Sequence, residues 1–355
     1  MKRKILFLIM ALAISVTLAA CFGQKDSTEL PNTIIVYTNQ TSGGRGERLE
    51  RLVREANFDF EVSFVELAGQ NLKNRLIAEK ESPMADVVLG GGLIEHIDLK
   101  SAGVLREFTP SWLADIDDDY LNEDNSYLPW AIEPLYVVFN KKYFTNNPEE
   151  VTINKLLAPT SWKELANDFK GRYNIFKPSS GTGLTFYSSI LSKYKDVNGE
   201  LNINEEGWEL LEKVINNGIM DTGLWQYNLT QKQAPIAMTW SGAILEIEEG
   251  YGIELDIINF EEGNPVVVSQ VAVVDSNHEG RIKAAEIFVE WWGSAETQVK
   301  WSEISGQIPA NKKAFDLVDE KIKNLNTEKV LDLDWNFISQ NTSLWREKIE
   351  LDLIN

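Results

Sequence analysis

The sequence predicts a two-lobed α/β protein, and three observations support this prediction. A chain of 355 residues is too long for one small core and divides most naturally into two lobes of about 150 residues each. Hydrophobic residues make up 43% of the chain and charged residues 25%, which is typical of a globular protein. Short apolar runs of strand character alternate with amphipathic segments of helical period, which indicates parallel sheets covered by helices.

The N-terminus has the pattern of a secretory signal peptide. Three cations, Lys2, Arg3 and Lys4, precede an apolar run over 5–16 that is too short for a lasting membrane span. The only Cys of the chain, Cys21, follows two alanines and resembles the acylated Cys of a bacterial lipobox. The predicted segments are a signal peptide over 1–20, lipidation at Cys21 and a polar tether over 21–32.

Charge and residue counts exclude several classes of function. The formal net charge of −20 argues against nucleic acid as a partner, because phosphate binding needs a basic surface. One Cys excludes a disulfide scaffold and a thiolate metal cluster, and two His exclude a multi-His metal site. The acidic balance mildly favours a ligand that carries some positive charge.

The first lobe is predicted to begin with a β-α-β-α-β series. Strands are expected at 33–37, 58–67 and 85–89, and helices with apolar residues at helical spacing separate and follow them. The first strand opens into a small polar loop, and the third ends in Gly90–Gly92. Because ligands bind outside the carboxyl ends of strands in open α/β sheets, both loops are expected to contact a ligand.

A second alternating series follows a long predicted strand over 133–142. Ser161 and Glu164 form a capping box at the start of a helix. A strand at 173–176 ends in a Ser- and Gly-rich loop that precedes a helix, where hydroxyl and N–H groups could hold an anion. A later strand at 234–239 likewise ends in Trp240 and Ser241 before another helix.

The strand Val266–Val274 is predicted to return to the first lobe. Helices over 281–292 and 295–304 follow, and the tail from 312 is read as two or three surface helices. The two crossings are expected to form a hinge near Glu133–Leu135 and Asn264–Val266. The predicted lobes are 33–134 with 266–355 as lobe I, and 135–265 as lobe II.

The sequence favours binding over catalysis. The loop at Thr182 and Gly183 lacks the Gly-x-Ser-x-Gly frame of a nucleophile elbow. His96 and His278 are interpreted as surface or helix histidines, and the acidic run Asp117–Asp119 as a solvated face. No catalytic residue, metal site or cofactor is therefore predicted.

Several local motifs are similar to those of one known family, and they occur in the family's order. This resemblance identifies the chain with the solute-binding proteins of bacterial ABC importers, in the group of ferric-iron, sugar-phosphate, aminoethylphosphonate and polyamine binders. It implies the type II periplasmic-binding fold, with two hinge crossovers and lobes that close on a small-molecule ligand. The motifs are Ala85-Asp86-Val87-Val88, Tyr136 to Lys142, Thr160 to Leu165, Ser179-Ser180-Gly181-Thr182, Glu261-Glu262-Gly263 and Gln307 to Asn311.

The resemblance also implies partners and a location. The partners would be an ABC permease and its ATPase, and a lipid anchor would hold a monomeric receptor at the extracytoplasmic face of the cell membrane. Two other classes stay open: a sensor lipoprotein that presents its closed form to a histidine kinase, and a lipoprotein enzyme.

Matching the family position by position implies a set of ligand-binding residues from both lobes. The expected ligand is a phosphonate, a sugar phosphate or another small anion or zwitterion, with a polyamine or ferric iron as alternatives. Iron binders of the family use adjacent tyrosines where this chain has Met238–Ser241, and Fe(III) prefers such phenolate oxygens. Trp130 and Trp240 could stack on a ligand or pack in the core. The implied residues are Thr38, Asn39, Gln40, Thr41, Gly91, Gly92, Trp130, Glu133, Ser179, Ser180, Gly181, Thr182, Trp240 and Ser241.

Overall fold

The computed structural model describes residues 28–41, 44–153, 155–326 and 329–354. The predicted signal peptide, the lipidation site Cys21 and most of the predicted tether lie outside these residues. Within the described ranges, no helix has both the length and the apolar character that crossing a bilayer would require.

Strands and helices alternate along the described chain, as the sequence predicts. The strands are β1 (Thr33–Thr38), β2 (Glu61–Glu66), β3 (Val87–Leu89), β4 (Leu105–Arg106), β5 (Leu128–Asn140), β6 (Phe144–Thr145), β7 (Leu156–Leu157), β8 (Tyr173–Ile175), β9 (Lys195–Glu200), β10 (Ile219–Met220), β11 (Ile236–Trp240), β12 (Leu255–Ile258), β13 (Val266–Val274) and β14 (Ile308–Pro309). The α-helices are α1 (Gly46–Glu55), α2 (Gly69–Ala78), α3 (Leu93–Ser101), α4 (Trp162–Asp168), α5 (Gly181–Ser192), α6 (Glu205–Asn217), α7 (Trp225–Leu229), α8 (Ser241–Tyr251), α9 (Glu279–Trp292), α10 (Ala295–Ser305), α11 (Lys312–Leu317), α12 (Glu320–Lys323) and α13 (Trp335–Lys348).

One twisted sheet runs through the molecule in the order β10-β8-β11-β5-β13-β3-β1-β2. The pairs β1/β2, β1/β3, β8/β11 and β8/β10 are parallel, so the carboxyl ends of the strands within each group lie at the same edge. The antiparallel strands β5 and β13 lie between these groups. The two β-α-β series therefore form one parallel group in each half of the sheet.

Strands β5 and β13 connect the two halves of the molecule. They pair from Val266 opposite Pro134 to Val271 opposite Leu128. At the junction, the Leu135 N–H donates a hydrogen bond to the Pro265 carbonyl oxygen (2.8 Å). Beyond it, β5 leaves β13 and pairs with β11 and β12. The chain thus crosses between the lobes near Pro134 and Pro265, and the hinge expected near these residues stays a prediction.

Separate apolar cores stabilise the two lobes. The main lobe I cluster includes the fully buried Trp130, Trp292 and Trp301. The lobe II cluster is built around Trp162 and Trp208. Burial of each of these large side chains contributes on the order of 2 kcal/mol to the free energy of unfolding, so both lobes have substantial cores.

The C-terminal tail does not pack on lobe I alone, as the predicted lobe boundaries would require. From Val318 onward its apolar residues join the lobe II cluster, although the sequence assigns all of 266–355 to lobe I. Helix α13 is also more than a surface helix, because Trp345 on its inner face is fully buried. The helix lies against both α3 of lobe I and α5 of lobe II. The tail therefore crosses between the lobes a third time.

Candidate functional site

A cavity of about 480 Å³ lies between the lobes, at the edge where the parallel strands of both lobes end. Its volume falls within the range of about 300–1,000 Å³ that is typical of small-molecule sites. Both lobes supply its walls, so its shape depends on the angle between them. This cavity, called the cleft below, is the candidate binding site.

Two loops of lobe I line the cleft. The loop after β1 brings Asn39 and Gln40, and the loop after β3 brings Gly91 and Gly92. The loops pack closely because Gly90, at φ +99°, has no side chain; a Cβ there would collide with the Asn39 amide. Gln40 is almost fully buried, its Nε2 donates to Asn39 Oδ1 (2.7 Å), and its Oε1 has no partner among the described residues. The cleft therefore presents a buried acceptor that a ligand hydroxyl or ammonium could satisfy.

Lobe II contributes the N-terminus of helix α5. The Ser180 Oγ accepts a hydrogen bond from the Gly183 N–H (3.0 Å) and donates to the Lys177 carbonyl oxygen (2.9 Å). A Cβ at Gly183 would lie 2.5 Å from that carbonyl, so only glycine fits this turn. Ser180 is thus the helix cap. Gly181 and Thr182, whose N–H groups a helix's own bonding leaves unpaired, line the cleft.

Three helices begin at the cleft wall without any acidic residue in their first turns. They are α2 at Gly69, α5 at Gly181 and α8 directly after Trp240. In this chain with 54 acidic residues most other helices carry an acidic residue there, namely α1, α3, α4, α6, α9, α10 and α12, whereas α7, α11 and α13 do not. Helix α3 also begins at the cleft wall, and its Glu95 lines the cleft. The positive ends of three helix dipoles therefore lie at the cleft wall without an acidic side chain in their own first turns.

Arg45, which precedes α1, adds a cation to the cleft wall. Burial lowers the pKa of its guanidinium, and the nearby charges of Glu133, Glu246 and Glu66 oppose that effect. An arginine with a lowered pKa is still charged at neutral pH. Its planar fork can hold a carboxylate, phosphonate or phosphate with two hydrogen bonds.

The carboxylates of the cleft already have hydrogen-bond donors. Glu133, at the crossing on β5, accepts bonds from Ser269 Oγ (2.5 Å) and Gln307 Nε2 (2.7 Å). Glu95 accepts from the Gly92 N–H (3.1 Å), and burial raises the pKa of its carboxyl group. Asp221 accepts from the Gly223 N–H (2.7 Å). These bonds reduce the repulsion that the three carboxylates would exert on an anionic ligand.

An aromatic group forms the lobe II side of the cleft. Trp240 and Phe176 both line it, with ring centroids 6.3 Å apart, and Trp225 packs against both at 5.9 and 5.3 Å. Trp240 is only partly buried, so its ring can contact a ligand. The supporting rings hold its orientation.

The structure brings nine of the fourteen predicted residues to the cleft wall. These residues come from both lobes, as the position-by-position match implies. Their contact with a ligand stays a prediction. They are Asn39, Gln40, Gly91, Gly92, Glu133, Ser180, Gly181, Thr182 and Trp240.

Five predicted residues lie elsewhere. Trp130 packs in the lobe I core, where its ring meets Trp292 at 5.1 Å and its indole N–H donates to the Gln270 carbonyl oxygen. Thr38 is buried with its hydroxyl accepting from the Gln40 N–H, and Thr41 donates to Glu66. The last two are Ser179, which lines a shallower depression beside the cleft, and Ser241, which is fully buried. Alternation along a strand or helix turns Thr38, Trp130 and Ser241 away from the cleft, whereas Thr41 and Ser179 lie in loops.

Four functional candidates were not predicted from the sequence. Arg45 and Gly69 come from helix starts in lobe I, Asp221 follows β10, and Trp335 begins α13. Gly69 and Asp221 sit next to loops that the sequence analysis did consider. No sequence pattern indicated Trp335, because it reaches the cleft only through the third crossing of the chain between the two lobes.

His96 lies in α3 directly behind the glycine loop and is fully buried. Its Nδ1–H donates to the Gly92 carbonyl oxygen (2.9 Å), and Nε2 has no partner among the described residues. Burial lowers the pKa of the imidazole to about 4. Protonation would therefore place an uncompensated cation behind the loop.

This burial predicts a pH dependence of stability. An unfolded histidine titrates near pH 6.5, so the unfolded chain binds a proton that folded His96 excludes. The stability is full above pH 6.5, and about 3 kcal/mol of the unfolding free energy should be lost as the pH falls to 4. Urea unfolding measured at intervals between these values should show a shallower slope for His96→Gln than for wild type. His278→Asn, a change at an exposed histidine, serves as the control; a slope unchanged in His96→Gln would contradict the assignment.

Comparisons with known proteins identify a family model and a relative that match this chain. The family model for bacterial extracellular solute-binding proteins matches residues 53–327. A probable ABC transporter periplasmic-binding protein of Sinorhizobium fredii is 28% identical over 352 residues, which cover 97% of this chain and 93% of that protein.

Solved structures share the two-lobed fold. Iron-bound HitA from Pseudomonas aeruginosa superposes with a TM-score of 0.71 at 18% identity, covering 90% of this chain and 100% of the other. The periplasmic binding protein AfuA from Actinobacillus pleuropneumoniae, with exogenous fructose 6-phosphate bound, superposes with a TM-score of 0.68 at 18% identity and covers 90% and 100% of the two chains. These likenesses confirm the predicted fold class. With the family model matching most of its length, the chain belongs to the bacterial extracellular solute-binding proteins, which bind ligands and are not enzymes.

Proposed function

We propose that this protein captures a small organic anion outside the cytoplasmic membrane and delivers it to an ABC permease. The observation that carries the proposal is the convergence of three helix N-termini without acidic first turns, together with Arg45, on one cavity between two lobes. Such a site stabilises a negative group within a chain whose overall charge is strongly negative. Lobe closure around the ligand would produce the form that the permease accepts.

The delivery role is supported by family membership and by the name of the Sinorhizobium fredii relative, a probable ABC transporter protein. The crossing strands β5 and β13 lie side by side, so a small change of backbone angles there would move the lobes together. A monomeric receptor suffices for this role, since both walls of the cleft come from one chain.

The ligand class follows from the polar groups that line the cleft. The acidic group would lie at Arg45 and at the N–H groups of Gly181 and Thr182. The buried Gln40 Oε1 would accept a bond from a hydroxyl or ammonium on the same ligand. A sugar phosphate or an aminophosphonate carries both kinds of group, and AfuA, a protein of the same fold, has been solved with fructose 6-phosphate bound.

The donor set argues against iron and polyamines in the cleft. Fe(III) prefers phenolate and carboxylate oxygens, but the described cleft wall contains no Tyr, and its three carboxylates already accept hydrogen bonds. No cluster of three or more metal-ligating side chains occurs in the part of the chain that the structure describes. A polyamine would meet Arg45 and the positive ends of three helices.

Titration followed by tryptophan fluorescence tests this proposal. Fructose 6-phosphate or 2-aminoethylphosphonate should change the emission saturably, because Trp240 lies at the cleft wall, whereas spermidine and ferric citrate should not. Trp240→Phe should reduce the change to what Trp335, the other Trp of the described cleft wall, contributes, while leaving the melting temperature within a few degrees. Saturable binding of spermidine or ferric iron, with no response to either anion, would contradict the ligand class.

We also propose that Cys21 carries the lipid that holds the protein at the extracytoplasmic face of the membrane. Cys21→Ser should shift the protein from the membrane fraction to the soluble fraction, because a single soluble domain without acyl chains has no comparable membrane affinity. Fractionation of cells followed by immunodetection measures this. A processed Cys21→Ser protein that remained in the membrane fraction would contradict lipidation.

A further inference from the structure

A second cavity, of about 1,050 Å³, lies behind the crossing strands. Alternate residues of β13 separate it from the cleft: Val267 and Ser269 line the cleft, whereas Val268 and Gln270 line the second cavity. Because successive side chains of a strand point to opposite faces, the two cavities lie on opposite sides of β13. We call the second one the posterior cavity. Its other walls are α3, residues 117–127 and residues 330–336.

The posterior cavity combines aromatic and aliphatic walls. Tyr120 and Tyr127 come from the segment before β5, and Trp335 comes from the start of α13. Leu93, Val268 and Leu333 supply aliphatic surface between them. Walls of this kind accept an apolar body, and aromatic faces also attract a cation placed over them.

The charges around the posterior cavity are predominantly negative. Its one lysine, Lys100, is already paired with Asp124 (2.9 Å). Asp119, Glu123 and Asp332 also line the cavity, and no Lys or Arg of the described residues lies within ion-pair distance of these carboxylates. The local field therefore favours a positively charged occupant.

A buried acceptor points independently to a ligand. Gln270 lines the posterior cavity, is fully inaccessible to bulk solvent and donates through Nε2 to the Val268 carbonyl oxygen (3.0 Å). Its Oε1 has no hydrogen-bond partner among the described residues. A buried acceptor without a donor costs about 1–3 kcal/mol, which a ligand N–H group would recover once the Gln270 side chain turns toward the cavity.

We propose that the posterior cavity is a second ligand site, for a small organic ammonium ion with an apolar body. The ammonium is held by the carboxylates of Asp119 and Asp332 and by Gln270 Oε1, and the body lies among the aromatic side chains. A bare metal ion does not fit, since the described residues contain no group of three or more carboxylate, His or Cys side chains close enough to share one. This inference is independent of the ligand proposed for the cleft.

Isothermal titration calorimetry of the full chain with phenethylammonium chloride tests the proposal. We expect saturable binding, with 2-phenylethanol, the neutral analogue of the same size, binding at least about tenfold more weakly. Saturating fructose 6-phosphate should not displace the amine, because β13 lies between the two cavities, which share only Leu93 and Trp335 as lining residues. Displacement, or equal binding of the alcohol, would overturn the proposal.

A double variant with a matched control distinguishes the site from general attraction to an acidic protein. Asp119→Asn with Asp332→Asn should weaken phenethylammonium binding by about tenfold, because two exposed carboxylates are neutralised at the site. Asp59→Asn with Asp316→Asn removes the same charge from exposed positions outside the cavity and should leave the affinity unchanged. Equal affinities of the two double variants, or no saturable binding to wild type, would overturn the proposal.

Discussion

Arg45→Ala is expected to weaken binding of fructose 6-phosphate or 2-aminoethylphosphonate by about 10- to 100-fold. Arg45 is the cation of the cleft wall, and a hydrogen bond to a charged group contributes about 1.5–3 kcal/mol. Arg45→Lys should recover only part of the loss, because an ammonium cannot form the two parallel hydrogen bonds of a guanidinium. Calorimetric titration of each variant measures the effect.

Arg51→Ala provides the control on the same helix. Arg51 is exposed on α1, does not line the cleft, and carries the same charge. Its removal should change the affinity by less than about twofold, through long-range electrostatics alone. Similar losses in the two variants would show that net charge, rather than the guanidinium of Arg45, determines the affinity.

Arg281→Ala is expected to destabilise the protein by about 3 kcal/mol. Arg281 Nε lies 2.6 Å from Asp86 Oδ1, and its other nitrogens donate to the carbonyl oxygens of Pro83 and Met84. Asp86 is almost fully buried and also accepts from the Ile35 N–H (2.7 Å). Burial already raises the pKa of the Asp86 carboxyl group, and the guanidinium opposes that rise. Without Arg281, a buried carboxylate would lose its counter-charge.

The matched control is Arg106→Ala, whose contacts are exposed. Arg106 lies 3.8 Å from Asp275 and 4.0 Å from Glu279, and such pairs contribute less than about 1 kcal/mol. Urea unfolding of both variants at neutral pH gives the comparison. If Arg281→Ala were no less stable than Arg106→Ala, the buried pair would not stabilise the junction of β1, β3 and α9.

Most of the fold could be predicted, because the hydrophobic periods of strands and helices and the residue preferences of turns depend on neighbouring residues in the sequence. The strand predicted at 266–274 is found as predicted. Of the capping box predicted at Ser161, the Ser161 Oγ accepts from the Glu164 N–H, but the Glu164 carboxylate accepts from the Thr160 N–H instead of that of Ser161. Short strands such as β10 and β14 were not predicted, since two residues carry no measurable period. The packing of the tail on lobe II was also missed, because an amphipathic helix does not specify which lobe it covers.

The candidate site could be predicted to the level of loops, but only partly to the level of side chains. The loops after β1, β3, β8 and β11 meet at the cleft because parallel strands share an edge. Trp130 illustrates the limit: it lies on the same strand as Glu133, yet it faces the lobe I core. Which face of β5 turns toward the cleft depends on the register of its pairing with β13, which the sequence does not reveal.

Native mass spectrometry after exposure to a metabolite extract of bacterial cells tests the central claim most directly. The purified protein should retain one small organic molecule that carries an acidic group, and Arg45→Ala should lose it while Arg51→Ala keeps it. A bound ferric ion, or a neutral molecule that Arg45→Ala retains as well as wild type does, would contradict the account.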